Sequence, residues 1–171
     1  MAAKLSPLGS ESRQHREFKQ TAKADQTMMN SHLLNERFPY ARYHEDLHLV
    51  TWFPTGILDN ERADRIVEFL ESEEEIAGEP FHRYMDMSGY ERIQIGLDHV
   101  VRLAKRRKKG YNGPPVKSAF YAVRLISLSI ARMYEELMIG SQIQVCTFRD
   151  RAAAAKWLAV PLDILQPPES K

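Results

Sequence analysis

Leu47-His48-Leu49-Val50-Thr51-Trp52-Phe53, closed by Pro54-Thr55-Gly56 and followed by Ile57-Leu58-Asp59-Asn60, is the passage on which the fold turns. Residues 47–53 are rich in β-branched and aromatic side chains, stop at a proline and read as a strand. Thr55-Gly56 supplies a turn, and Ile57-Leu58 a short second strand. Asp59 or Asn60 then suits a helix N-cap. Behind it Ala63, Ile66, Val67 and Leu70 recur at i, i+3, i+4 and i+7, the stripe of an amphipathic helix. Strand, turn, strand and capped helix within 30 residues predict an α/β chain whose sheet opens on an antiparallel pair.

Outward toward the C-terminus the alternation continues. Gly78 and Pro80 close the first helix, and Phe81 to Met87 alternates as a strand ending at Ser88-Gly89. A helix starts near Asp98, with Leu97, Val100, Val101 and Ala104 apolar. Gly110, Gly113, Pro114 and Pro115 break it. Val116 to Val123 reads as a core strand, and Leu125 to Met138 as a helix apolar around much of its circumference, hence well buried. Ile143 to Phe148 is the last strand, and Asp150 caps a short helix carrying Ala154, Trp157 and Leu158. The expected fold is a single mixed, mostly parallel sheet of about five strands flanked by four helices, with right-handed crossovers.

Outward toward the N-terminus the pattern fades. Residues 1–42 are polar and read as a mobile extension, with Met28-Met29 as an alternative native start. The α/β domain is expected over 43–162 and a frayed tail over 163–171. The start lacks an apolar core of secretory length, and no run of about 18 apolar residues offers a membrane span. The 171 residues carry 24 basic and 23 acidic side chains, a net charge of +1, so global charge points to neither nucleic acid nor membrane. The single cysteine, Cys146, excludes an internal disulfide and fits a reducing cytosol. It lies in a strand and reads as core, not as a nucleophile.

At this point a family pattern is visible. His48 to Asp59 resembles the opening of STAS-like domains, and Tyr84-Met85-Asp86-Met87-Ser88-Gly89 resembles their second core strand. Val116 to Phe120, Ala131 to Glu135 and Phe148 to Leu158 are similar to the closing half of bacterial SpoIIAA-like proteins, the anti-sigma-factor-antagonist group. The resemblance spans roughly residues 46–160. It implies a non-catalytic regulatory or protein-interaction module of the bacterial cytosol that docks a protein partner or pairs as a homodimer; the residues themselves point to no cofactor and no metal. Relatives of the fold also bind small ligands, nucleotides or lipids, which is the alternative reading. The family's phosphorylated serine has no counterpart here: the corresponding positions read Gln94-Ile95-Gly96-Leu97. The serine phosphoswitch is therefore not expected, and Ser88, the nearest hydroxyl, reads as a turn residue.

The resemblance places partner contacts at Ser88, Gly89 and the following helix, with Arg102, Lys105, Arg106, Arg107 and Lys109 as candidate contact residues. The run Lys105-Arg106-Arg107-Lys108-Lys109 could meet phosphates or an acidic partner, or be a solvated helix face at a dipole-favoured end. The acidic run from Glu71 to Glu75 could meet it in a second copy. Reversing Arg106 and Arg107 is expected to reduce partner capture without lowering the melting temperature. Only Tyr111 adjoins the run, so a base-stacking surface is not indicated. His44-Glu45-Asp46-Leu47-His48 matches H-E-x-x-H, but that zinc motif needs a helix; in a strand its histidines would stand about 13 Å apart.

Overall fold

The computed structural model describes residues 41–76 and 79–168. Seven strands and four helices follow one another: β1 (Ala41–His44), β2 (Leu49–Trp52), β3 (Gly56–Leu58), α1 (Asn60–Ile76), β4 (His82–Asp86), β5 (Tyr90–Ile93), α2 (Leu97–Gly110), β6 (Val116–Tyr121), α3 (Leu125–Leu137), β7 (Ile143–Phe148) and α4 (Arg151–Leu158). The main sheet has the order β1-β2-β4-β6-β7. β2, β4, β6 and β7 are parallel, and β1 alone is antiparallel. The mixed, mostly parallel five-strand sheet with four helices is thus the expected one. Because the parallel strands lie side by side in chain order, α1, α2 and α3 fall on the same face.

The pleat sorts the core. Leu49, Phe53, Tyr84 and Ala119 point to one face, where Ala154, Ala155 and Leu158 of α4 cover them together with Leu165. Their neighbours Val50, Trp52, Met85 and Phe120 face α1–α3. Small residues let α4 approach closely: Ala154 is fully buried, and Asp150 caps the helix by accepting from the Ala152 and Ala153 amides, each at 3.1 Å. At the other end of α4, Ala159 takes a left-handed φ of 62°.

Three expectations shift. The antiparallel partner of β2 is β1, linked to it by a 3-10 turn at Glu45–Leu47 and a left-handed His48 (φ 43°). The segment 57–58 does not fold back on β2. Gly56 (φ 80°) swings it away to pair in parallel with β5 in a separate two-stranded ladder. Neither β1 nor β5 stands out in the sequence, since each has only four residues and carries charge. Described elements also extend just outside the expected limits of 43 and 162. Ala41 is buried in β1, and the Leu162–Leu165 turn buries Leu165 completely. The rest of the expected extension, residues 1–40 with Met28-Met29, lies outside the described residues, as do 169–171.

One detail concerns the outer side of β7. Among the described residues no strand pairs there. The Thr147 amide instead donates to the Glu135 carboxylate of α3 at 2.9 Å.

Candidate functional site

α3 follows β6 directly and α2 follows β4 by way of the short β5, so both belong to crossovers that leave the carboxyl end of the sheet, where open α/β sheets commonly place their ligands. Asp86 closes β4 there and is buried. Its Oδ1 accepts from the Ser88 amide at 2.9 Å and from the Ser88 hydroxyl at 2.5 Å. Its Oδ2 accepts from Arg151 Nη2 at 2.7 Å and Nε at 3.2 Å. The Arg151 guanidinium also lies 4.0 Å from the Tyr121 ring centroid. Burial, with the Asp86 charge behind it, pushes the Tyr84 hydroxyl well above its ordinary pKa. Ser88 thus bonds a carboxylate and not the backbone as expected of a turn hydroxyl. Gly89 is dictated by space: a Cβ there would come within 2.4 Å of the Pro54 carbonyl oxygen. The charges of this corner are used up in holding β4 against α4.

Beside it the surface changes character. Arg124 Nη1 donates to the Tyr90 and Glu91 carbonyls at 2.6 and 3.2 Å, tying the start of α3 to β5. A cleft of about 200 Å³ runs there, lined by Tyr90, Ile93, Arg124 and Ile126 among others. At the rims of this end Leu97, Leu125 and Ile126 are 60%, 78% and 60% exposed. The expectation that α3 is well buried is therefore corrected at its first turn. A helix apolar all round has more apolar surface than one sheet face can cover, and the excess emerges at Leu125 and Ile126.

The basic run of α2 does not form one surface. Val100, Leu103, Ala104 and Arg107 make the buried stripe, so Arg107 belongs to the inner face and is 1% exposed. It donates to Glu74 Oε1 at 2.5 Å and Oε2 at 3.0 Å, and Glu74 also binds Arg83 of β4. Burial alone would lower the Arg107 pKa, but the Glu74 hydrogen bonds and charge outweigh it and leave it raised. Arg83 goes the other way, lowered chiefly by burial, with Glu74 only partly restoring it. Arg106 is bidentate on Glu71, at 2.5 and 3.1 Å. The acidic and basic runs therefore meet within one chain, α1 against α2. Arg102 is exposed and donates to His99 Nδ1 at 2.9 Å. Lys105 and Lys109 remain exposed, while Lys108 donates to the Ile139 carbonyl at 2.7 Å.

This arrangement corrects the expected outcome of reversing Arg106 and Arg107. A carboxylate at position 107 would stand buried against Glu74, so that variant loses stability before it informs on binding. The signal was present in the sequence, since 107 continues the 100, 103, 104 spacing. The Asp86–Arg151 pair was not legible, because its members lie 65 positions apart.

The histidines of the H-E-x-x-H stretch have separate duties. The stretch spans the end of β1, the 3-10 turn and the left-handed residue, not a continuous strand. His44 Nε2 bonds Thr51 Oγ1 at 2.9 Å, whereas His48 Nδ1 lies 3.5 Å from Glu79. Among the described residues no three His, Cys, Asp or Glu side chains are grouped to hold a metal ion. Cys146 is half-buried, and burial, then the Glu135 charge, raises its pKa. No helix among the described residues is long and apolar enough to cross a membrane. Between the sheet and α1–α3 lies a half-enclosed apolar cavity of about 130 Å³.

No family model and no curated protein matches the chain. Among solved structures it is similar to an uncharacterised protein from the DUF3478 family with a SpoIIAA-like fold from Shewanella loihica PV-4. The two share 16% identity over 64% of this chain and 83% of the other, with a TM-score of 0.41. The fold class described above rests on the strand order and crossovers of the chain itself.

Proposed function

We propose that the chain is a non-catalytic interaction module that docks a protein partner through the carboxyl end of its sheet. One observation carries this reading: Leu125 and Ile126, adjacent at the start of α3, stand 78% and 60% exposed, with Ile126 lining the cleft, and Leu97 at the start of α2 is 60% exposed. Isolated exposed apolar residues are ordinary, but adjacent ones flanking a cleft are the usual form of a recognition patch. The partner would present apolar side chains to this rim. Supporting the non-catalytic part, the buried charged groups Arg83, Arg107 and Asp86 all hold structural partners, so none stands ready as an acid or base. Ser88 and Gly89 then act by shaping the docking surface. Arg106 and Arg107 act only through the fold, and Lys105, Lys109 and Arg102 remain as peripheral charge.

The test is affinity capture with the whole chain and with the double variant Leu125→Asp, Ile126→Asp. The variant should lose its partner, with Kd weakened at least about tenfold and the melting temperature unchanged, because both side chains are already in water. Gel filtration with light scattering reads the case in which the partner is a second copy. An unchanged set of captured proteins and an unchanged oligomeric state would remove the patch from the reading. Lys105→Glu with Lys109→Glu tests the residual basic face separately and should leave capture intact.

A further inference from the structure

The cavity between the sheet and α1–α3 shares Met87 with the cleft of the docking rim but has a chemistry of its own. Its walls include Val50 and Phe120 of the sheet, Ile66 of α1, Val100 of α2, and Ile130 and Ala131 of α3. At about 130 Å³ it approaches the size of an engineered apolar cavity, on the order of 150 Å³, that stays dry and takes up benzene or xenon. Water gains little from such walls, since it needs two to four polar partners. An apolar guest regains the dispersion contacts that the void forfeits. The wall is not wholly apolar. Arg83 also lines it, 6% exposed, with its guanidinium held by Glu74 while its Nε–H has no acceptor among the described residues. A buried donor without an acceptor is costly, and a guest bearing one acceptor atom would relieve it.

We propose that this cavity is a binding site for a small neutral molecule, a single aromatic ring or a short branched aliphatic, with at most one hydrogen-bond acceptor. Size sets the limit, because a nucleotide or a full acyl chain needs a pocket of roughly 300 Å³ or more. Neutrality follows from the walls: a free carboxylate would leave water for an apolar surface whose nearest guanidiniums, Arg83 and Arg107, are already paired with Glu74.

The probes are benzene and phenol, added to the whole chain and followed by the methyl resonances of Val50, Val100 and Ile130. The wild-type chain should show saturable shifts at these methyls. Phenol should bind at least about threefold more tightly than benzene if its oxygen meets Arg83 Nε–H, as a fraction of one hydrogen bond suggests. Ala131→Leu fills the space from α3 and should weaken benzene at least about tenfold. Ala63→Val, from α1, serves the same purpose where the first variant does not fold. Absence of saturable shifts in the wild type overturns the site. So does equal binding by wild type and a filled variant, which would place the guest elsewhere. Equal affinity for phenol and benzene overturns the role given to Arg83.

Discussion

Glu74 sits between two guanidiniums, those of Arg83 and Arg107, and neither arginine is more than 6% exposed. At the scale of single residues this is a buried contact on which two cations depend. Truncating Glu74 to Ala leaves two like charges close together away from water, with Glu71 at 3.7 Å from Arg107 as a weaker counter-charge. The expected loss is about 3–5 kcal/mol, measured by denaturant unfolding. Arg107→Met in the same assay should cost less, since it removes one charge while filling much of the volume. Cys146 offers a milder prediction. Its pKa is raised, so little thiolate is present near neutrality, and iodoacetamide at pH 7.5 should alkylate it more slowly than it alkylates glutathione. Both residues show what a sequence conceals. Glu74 looks like one of several solvated acids until α2 is laid beside α1.

Helix α4 is short, and its two ends predict opposite effects of substitution. Asp150 satisfies two of its free amides, so Asp150→Ala should cost about 1 kcal/mol. Ala159 ends the helix with a φ of 62°, a conformation that strains any residue with a Cβ. Ala159→Gly should therefore raise stability, by up to about 1 kcal/mol, and thermal unfolding reads both changes. At the scale of elements the sequence was most legible where burial was greatest. β2, β6 and β7 carry apolar or β-branched runs, and α1 and α2 carry a clean helical stripe. It failed at β1 and β5, whose stability comes from a neighbouring strand and not from their own residues, among them Arg42, His44, Glu91 and Arg92. It misjudged α3 because apolar content reports the total surface available for burial, not which turn receives cover. The candidate site inherits that error, since Leu125 and Ile126 matter here for being left uncovered.

Over the whole molecule, the response to acid should be led by two imidazoles. His82 titrates below the ordinary 6.5, chiefly through burial, then through the Lys117, Arg83 and His48 charges. His44 is lowered by burial and Arg42. The Lys117 amide donates to His82 Nδ1 at 3.1 Å, a bond that requires the unprotonated nitrogen. As pH falls below about 6.5 the unfolded chain takes up these protons first. Their stabilising contribution is therefore complete above that value and is lost as pH drops through the depressed folded-state values. Melting temperatures from pH 7.5 to 5 should decline, and His82→Leu should make the decline shallower in that window. The sheet order raises a further matter of colloidal behaviour. An open β-ladder invites a foreign strand, and the carboxylate of Glu135 occupies the Thr147 amide that such a strand would seize first. Glu135→Ala would uncork that donor, and the consequence to watch for is not unfolding but filament-like self-adhesion, detectable as scattering that grows with concentration while the monomer keeps its native spectrum.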